Sequence, residues 1–397
     1  MEMIRPLFRA GPGPSNELVH ALAWYANEVL RLPRLFSRVT VKRRRNLARP
    51  VKRRKSAFRG SMICLDFLAM GWLGVTRLSQ IDTHLRPRDD LARLFGLRRF
   101  CDHTTAHNFL NAFHRTHLGQ LDEVNARLLL EHGHALTDRA PIVDVDLVSR
   151  PVRHVGRRAR SERLRWAVVF SAGEAVAHRL AREPGECRVV AARIVLDALD
   201  AARRRLAGKP RLVRVAGSCV SADLVRALLR RRVPFLTTAT WAWALAQRPE
   251  PDEELRWASP DPDYRVLDLG TAPHDGGAQP SLRTILVERA AAAPGQPRER
   301  LAIVTSMLDS PAATIVRLAA SQATIRAFFG HPRWPLGDGK MPSSDLRANE
   351  AYLRLAAIGM NVLRLFSIHL GEEWSLARVR RGLRLVSSPA DPGRGPL

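Results

Sequence analysis

The chain has 397 residues, of which 46% are hydrophobic and 26% charged, and its 64 Lys and Arg outnumber its 38 Asp and Glu to give a net charge of +26. The composition excludes a collagen-like or disordered protein, and the length exceeds what one hydrophobic core usually holds, so two or more domains are expected. So large a positive surplus favours a polyanionic partner such as nucleic acid, with an arginine-rich codon bias as the competing explanation.

The first predicted element is an amphipathic helix within residues 14–40, where Leu18 and Leu22 follow helical spacing. After it comes a stretch without acidic residues that holds two basic clusters. Their members are Lys42, Arg43, Arg44, Arg45, Lys52, Arg53, Arg54 and Lys55. Like charges this dense repel one another and extend the chain, so residues 1–60 are interpreted as a basic N-terminal arm. We expect the clusters to contact a DNA backbone; a solvated linker without contacts is the alternative.

Residues 61–138 are predicted to form a helical domain. Apolar residues, including Leu91 and Phe109, recur there at helical spacing. Asp102 or Thr104 is placed to cap the N-terminus of one of these helices, because a short polar side chain can accept the first unpaired backbone N–H groups.

From residue 139 the pattern changes to short runs of apolar and β-branched residues. The predicted strands are 142–148, 166–170, 211–215 and 234–240, and the predicted helices between them are 188–206 and 221–231. Strands in succession, followed by strands and helices in alternation, predict a mixed α/β sheet.

Residues 241–300 interrupt this alternation with a segment rich in Pro and Gly. Short β runs are predicted within it at 264–269 and 283–288. The chain then returns to regular elements and ends in a tail rich in Pro, Gly and Arg. These predicted elements are a strand at 301–305, helices at 311–329 and 346–365, and the tail at 373–397.

A spaced series of residues near the C-terminus carries a family resemblance. Ala319, Gln322, Arg326 and Arg333 follow one another at intervals of three, four and seven residues, ahead of the segment 341–349. This frame resembles the C-terminal end of bacterial insertion-sequence DDE transposases. One branch of that family carries Tyr, Arg, Glu and Lys at the same intervals, followed by a helix of the LPS…ANAAWL type.

A second phrase extends the resemblance to roughly residues 60–370. From Leu91 through Gly96 and Thr104 to Leu110, the chain is similar to the pattern that precedes the catalytic domain in these transposases. The resemblance implies a ribonuclease H-like mixed sheet with flanking helices, a helical N-terminal domain and an inserted mainly-β subdomain. The expected domains are a basic arm at 1–60, a helical DNA-binding domain at 61–138, a ribonuclease H-like domain at 139–240 and 301–372, an inserted β subdomain at 241–300, and a tail at 373–397.

The resemblance also implies a catalytic chemistry. DDE transposases cut and join DNA with two divalent ions, Mg²⁺ in the family, which lie about 3.5–4 Å apart and are held by three carboxylates. The family's first-strand phrase points to Asp146 as the metal ligand that this chain retains. Asp144 lies on the same face of the predicted strand, because side chains alternate along a strand.

The other two acid positions carry different residues. Gly217 stands where the second acid of the family follows a strand, and glycine has no side chain that could bind a metal. By the C-terminal spacing the third position is Arg326, whose permanently cationic guanidinium repels a metal ion. Ala319 and Gln322 replace the family's Tyr and Arg, and only Arg333 keeps the charge of its Lys. We therefore expect the metal site to be lost and no Mg²⁺ to be bound.

The resulting interpretation is a transposase-family protein that binds double-stranded DNA without cutting it, either as a relic of a mobile element or as a repurposed protein. Arg157, Arg158 and Arg333 are further expected DNA contacts, in addition to the N-terminal clusters. The interpretation also allows a homodimer. Two alternatives remain. One is an active metal-dependent transposase that uses carboxylates elsewhere, and the other is a non-catalytic protein-interaction scaffold.

The compartment is predicted from cysteine usage and from apolar runs. Four dispersed cysteines without a CxxC motif are typical of a reducing compartment. No apolar run reaches the roughly 18 residues needed to cross a bilayer, and the N-terminus lacks the apolar core of a signal peptide. We expect a cytoplasmic, nucleoid-associated protein without a membrane partner.

Overall fold

The structure, a computed structural model, describes residues 16–41, 58–151, 163–183, 188–217, 221–239, 257–261, 264–272, 282–289, 298, 300–321 and 341–387. The chain divides into two compact units. The helical unit comprises Met1–His134, Arg150–Arg163 and Ala327–Leu397, and the sheet unit comprises Ala135–Ser149 and Leu164–Arg326.

Eleven α-helices and nine β-strands are formed by the described residues. The helices are α1 (Asn16–Trp24), α2 (Leu32–Phe36), α3 (Gly60–Trp72), α4 (Asp89–Leu94), α5 (His103–Asn111), α6 (Arg115–His132), α7 (Arg188–Arg203), α8 (Ala222–Arg230), α9 (Ala312–Ala320), α10 (Leu346–Leu370) and α11 (Leu376–Ser387). The strands are β1 (Ile142–Pro151), β2 (Arg163–Ser171), β3 (Glu174–Glu183), β4 (Leu212–Val215), β5 (Phe235–Ala239), β6 (Ala258–Asp261), β7 (Tyr264–Ala272), β8 (Leu282–Arg289) and β9 (Arg300–Thr305).

Helix α10 is the core of the helical unit. It packs against α3, α5 and α6, and almost its whole length is buried. A helix that is apolar on all sides is expected in such a position. Polar contacts fix its register: the indole N–H of Trp72 donates to the Gly359 carbonyl (3.0 Å), and the Asn361 amide donates to Asn125 Oδ1 (2.8 Å).

Helix α10 has the length and apolar composition of a membrane-spanning helix. Among the described helices, it is the one long and apolar enough to cross a bilayer, but 72% of its most apolar window is buried within the protein. The count of uninterrupted apolar residues overlooked this helix, because Arg354 and Asn361 break its sequence. Arg354 is paired with Asp122 of α6 at 3.1 Å, as suits a core helix of a folded unit.

Aspartate side chains cap the N-termini of two of these helices. Asp102 accepts the backbone N–H of Thr105 (2.7 Å) at the start of α5. Asp345 accepts the N–H groups of Arg347 (2.7 Å) and Ala348 (3.0 Å) at the start of α10. The prediction of Asp102 as an N-cap is confirmed, and the same physical reason applies at Asp345, where a carboxylate satisfies otherwise unpaired backbone donors.

The units divide the chain differently from the boundaries expected from the sequence. Helix α10 was expected in the ribonuclease H-like domain, but it belongs to the helical unit. Residues 376–387 were expected in a tail, but they form α11, which packs against α1 and α10 with Leu376, Val379 and Leu383 buried. Periodicity marks an apolar helical face without indicating which partner covers it, so it could not assign these helices to a unit.

The N-terminal arm also differs from its expected form over its described part. Helices α1 and α2 lie within residues 1–60, and Leu18, Leu22 and Phe36 are fully buried. These residues belong to the core of the helical unit. The basic clusters between residues 42 and 55 lie outside the described residues.

The sheet unit is built on a nine-stranded mixed sheet with strand order β3-β2-β1-β4-β5-β9-β8-β7-β6. Strands β1, β4 and β5 are parallel neighbours, reached through the crossover helices α7 and α8 that parallel pairing requires. Strands β2 and β3 are joined by a two-residue turn, in which Ala172 and Gly173 both have positive φ. The chain therefore has a mixed α/β fold.

The segment 241–300 was expected to be an inserted β subdomain. Its described strands β6, β7 and β8 instead extend the same sheet, because β9 pairs antiparallel with β5 on one side and with β8 on the other. Ile285 and Val287 of β8 share a hydrophobic cluster with Leu236 of β5 and Ile315 of α9. One continuous sheet thus carries both the parallel strands and the extension.

Candidate functional site

The candidate site lies along the first half of β1, beside the parallel strand β4 and the residues that follow it. Val143, Val145 and Leu147 alternate along β1 with Asp144 and Asp146, so the two acids share the opposite face. The register places Asp144 beside Arg214 and Val145 beside Val215. The pairing continues past β4, where the Ala216 N–H donates to the Val145 carbonyl at 2.9 Å. Asp146 of β1 therefore lies close to Gly217, which follows β4 by two residues.

Asp144 is held in a buried ion pair with Arg214. The guanidinium donates Nε to Asp144 Oδ1 (2.5 Å) and Nη2 to Oδ2 (2.6 Å), and the two residues are 5% and 7% exposed. Nη1 of Arg214 also donates to the Leu318 carbonyl (2.8 Å) and to the Ser321 hydroxyl at the end of α9. A fixed cation already occupies the place where a metal would approach Asp144, so this carboxylate acts as a structural group.

Asp146 is the acid of β1 that has no arginine against it among the described residues. Its Oδ1 accepts the backbone N–H of Leu147 at 2.7 Å, and no ion pair joins it to another described residue. Burial raises the pKa of the Asp146 carboxyl above its usual value, with the Leu147 N–H acting in the opposite direction. This is the position that the resemblance assigns to the first metal ligand.

Gly217 packs so closely against β5 that no side chain fits there. A Cβ atom built on Gly217 would lie 2.6 Å from the backbone oxygen of Thr238 and 2.8 Å from its hydroxyl oxygen. Contacts shorter than 3.0 Å involving backbone require β5 to move. The position expected for the second acid is therefore one where the backbone itself demands glycine.

The remaining residues singled out from the sequence fall in two groups. Ala319 is described, and it is buried in the hydrophobic cluster between α9 and the sheet. The others lie outside the described residues: Gln322, Arg326, Arg333, Arg157, Arg158 and the eight basic residues of the N-terminal clusters. Within the described part of the chain, no group of three His, Cys, Asp or Glu side chains is arranged to hold a metal ion. The described donors do not fit a two-metal site.

Sequence reasoning missed the part that Arg214 plays. Arg214 stands three residues before the position expected for the second acid, between Val213 and Val215. An arginine inside an apolar strand signals a buried acidic partner. What the sequence could not show is the register that sets Arg214 beside Asp144.

A second candidate site is a cavity of about 750 Å³ in the helical unit. It is formed by residues 76–79, by one side of α5 along its whole length, by the segment 341–345 that precedes α10, and by Tyr352 of α10. His103 on its wall pairs with Asp82, whose pKa is lowered because hydrogen bonds from His103 outweigh the effect of burial. Asp345 is the acid among the lining residues and is already engaged as a helix cap.

Comparisons with known proteins add little to this geometry. No family model matches the sequence, and no curated protein matches it. Among solved structures, the chain has a likeness to one titled "Crystal structure of Aa-Ago with externally-bound siRNA", with 12% identity and a TM-score of 0.23. That match covers 53% of this chain and spans 29% of the Argonaute chain. At this TM-score the likeness carries no argument about fold or function.

Proposed function

We propose that this protein is a double-stranded DNA-binding member of the DDE transposase family that does not carry out metal-dependent strand transfer. The net charge of +26 supports a polyanionic partner. The resemblance in spacing from Ala319 to Asn349 supports the family. On this proposal the protein acts at the nucleoid, as a relic or as a repurposed binder.

The strand order supports a ribonuclease H-like sheet as part of the proposal. Strands β3, β2 and β1 stand on one side, followed by the parallel strands β4 and β5, with α7 and α8 between them in sequence. This is the succession of strands and then alternating strands and helices that the resemblance implies. Asp146 lies on the first strand, β1, where the resemblance expects the first acid.

The observation that carries the loss of catalysis is the packing of Gly217 against Thr238. A second carboxylate would need a side chain at a place where even a Cβ atom collides with the backbone of β5. Asp144 cannot replace it, because Arg214 binds both of its oxygens. A single Mg²⁺ can be bound through one or two carboxylates with waters, but the two ions of the family's site are held by three carboxylates, and Asp146 supplies only one.

The test of DNA binding is a salt titration with the purified full chain. Affinity for a duplex should fall steeply with salt, with a log–log slope of about −0.9 for each phosphate neutralised. A matched variant should carry Gln at the eight basic positions of the two N-terminal clusters, because deleting residues 1–60 would also remove buried Leu18 and Phe36. A flatter slope in the variant supports the proposal. Absence of duplex binding by the wild type at low salt overturns it.

The test of catalysis uses the same duplexes with Mg²⁺ or Mn²⁺, including substrates that carry terminal repeats. We expect neither nicking nor strand transfer. Cleavage by the wild-type chain that disappears in Asp146→Ala would overturn this part of the proposal, because it would require ligands beyond those at β1 and β4. Cleavage that persists in Asp146→Ala would indicate a contaminating nuclease, to be removed before the assay is repeated.

A further inference from the structure

A row of basic residues lies along one edge of the sheet, at the amino ends of the parallel strands β4 and β5. Its members come from the end of α7, from the loop before β4, and from the end of α8 and the turn after it. The six residues, which we call the basic edge, are all exposed: Arg203, Arg204, Lys209, Arg211, Arg230 and Arg232. The stretches that carry them, 188–217 and 221–239, are each described without a gap.

Backbone pairing and one ion pair bring these three segments to the same edge. The N–H of Arg211 donates to the Pro141 carbonyl at 3.0 Å, just before β1, and β4 is paired on its other side with β5. Helices α7 and α8 pack against each other, and Arg231 pairs with Asp200 at 2.8 Å to join their C-terminal ends. The cations of the basic edge therefore belong to one surface of the sheet unit.

None of the six residues of the basic edge forms an ion pair with another described residue. Acids close to this edge are engaged elsewhere. Asp200 is bound by Arg231, which is not one of the six, and Asp138 accepts the Ala140 N–H at 2.9 Å. Asp309, in the turn after β9, pairs with none of them. The cations of the basic edge thus face solvent, where an outside anion can reach them.

One member of the basic edge occupies a strained backbone position. Arg232 follows the C-cap of α8 and has a φ of 51°, in the left-handed region. Glycine is the usual residue after a helix C-cap, because a side chain raises the energy of this conformation. The Arg232 side chain is exposed and forms no ion pair with a described residue that would offset the strain. Strain of this kind persists where a particular side chain is needed for function.

We propose that the basic edge binds the phosphate backbone of duplex DNA. This inference rests on the proposed DNA-binding function and names a contact surface for it. Guanidinium groups suit phosphate oxygens because their N–H donors lie in one plane and can bind two oxygens at once. Pro141, which Arg211 contacts, is separated from Asp146 by five residues of extended chain, or about 16 Å at roughly 3.3 Å per residue. DNA on the basic edge is therefore held away from the candidate metal position.

The test compares two double variants of the full chain that remove the same charge. Arg211→Gln with Arg232→Gln removes two members of the basic edge, and Arg193→Gln with Arg317→Gln removes two exposed arginines of α7 and α9 outside it. The log–log salt slope for duplex binding should become less steep by about 1.8 in the first variant, because each lost phosphate contact removes about 0.9. The second variant should keep the wild-type slope.

Equal slopes in the two variants, with the wild type binding DNA, would overturn the basic edge as a contact and leave the proposed function standing. A wild type that does not bind duplex at low salt would overturn both. Lost affinity for polyglutamate with unchanged duplex binding would assign the basic edge to an acidic protein partner and overturn the inference. Should the first variant fail to fold, as judged by circular dichroism, Arg211→Gln alone tests the same surface with an expected slope change of about 0.9.

Arg232→Gly separates DNA binding from stability. Glycine relieves the left-handed backbone, so the midpoint of thermal unfolding should rise, while the salt slope should become less steep by about 0.9. Arg31→Gly relieves the same φ of 51° at the start of α2 and measures the rise in stability that relief alone produces. Weaker binding by a more stable protein cannot come from a damaged fold. A wild-type slope in Arg232→Gly would overturn the inference.

Discussion

Asp144 and Arg214 bring opposite charges into the interior of the sheet unit, where little water reaches either group. Their attraction is supported by further hydrogen bonds from Arg214 to Leu318 and Ser321. Breaking such a pair leaves the other charge buried and uncompensated. The pair thus joins β1, β4 and the end of α9.

Asp144→Ala should lower the free energy of unfolding by about 3–5 kcal/mol, as loss of one partner of a buried pair does. Asp200→Ala removes a half-exposed acid that pairs with Arg231, and it should cost about 1 kcal/mol or less. Urea denaturation of both variants measures the difference. Equal losses would show that the Asp144 pair contributes no more than a surface contact.

Gly217→Ala should destabilise the protein by about 1–3 kcal/mol, because the added methyl group collides with Thr238 and forces β5 to shift. Gly119 provides the opposite control. It lies exposed in α6 with nothing within 4 Å of an added Cβ, so Gly119→Ala should stabilise the helix by about 0.5–1 kcal/mol. Thermal unfolding of the two variants checks the signs, and a neutral Gly217→Ala would contradict the packing argument.

At the scale of one element, α3 carries an acid that is harder to ionise than usual. Asp66 is buried, and its Oδ2 accepts the Cys101 N–H at 3.1 Å, while its Oδ1 has no hydrogen-bond partner among the described residues. Burial raises the pKa of Asp66 from 3.8 to about 7, against the opposing effect of the hydrogen bonds from Cys101. The folded protein therefore keeps the proton over a range of pH in which the unfolded chain has lost it.

The stability of the helical unit should fall as pH rises from about 4 to about 7, because the folded state binds a proton that the unfolded state releases. The change is at most about 4 kcal/mol, since each pKa unit corresponds to about 1.4 kcal/mol. Asp66→Asn should remove this dependence and raise stability at pH 8. Chemical denaturation across pH measures it; identical pH profiles for the two proteins would contradict the assignment to Asp66.

The local sequence pattern predicted the positions of several strands, but not which strands pair with one another in the sheet. The predicted runs 142–148, 211–215 and 234–240 correspond to β1, β4 and β5, because apolar β-branched residues between turn residues favour strands locally. Strand β3 was missed, since its Ala, His, Arg and Glu residues do not favour a strand; the turn at Ala172 and Gly173 pairs it with β2. Asp144, Asp146 and Gly217 of the candidate site could be identified from the sequence. The pairing of Asp144 and the close packing of Gly217 depend on strand register and spacing, which one sequence does not contain.

At the scale of the whole molecule, the helical unit is assembled from two distant parts of the chain. Trp72 and Gly359 are hydrogen-bonded across 287 residues of sequence, and Asp122 and Arg354 are paired across 232. The sheet unit occupies most of the sequence between these parts. Its core residues, including Leu236, Ile285 and Ile315, all lie before residue 327.

A chain ending at residue 345 should therefore lose the helical unit and keep the sheet. Without α10, the apolar faces of α3 and α6 have no core helix to cover them. Hydrogen exchange should show amide protection in β4, β5 and β9 and its loss in α3 and α6. Protected α3 and α6 amides in the truncated chain would contradict the role given to α10.

The position of α10 near the end of the chain also sets an order of events during translation. Residues 16–132 leave the ribosome early, but the helix that completes their core is synthesised more than 200 residues later. At roughly 5–20 residues per second this interval is on the order of tens of seconds. Buried residues such as Phe67 of α3 and Leu128 of α6, on helices that pack against α10, remain uncovered by it throughout that time. The nascent N-terminal segment is accordingly a substrate for chaperones that bind exposed apolar segments. The sheet unit, whose residues all precede α10, can fold before α10 is synthesised.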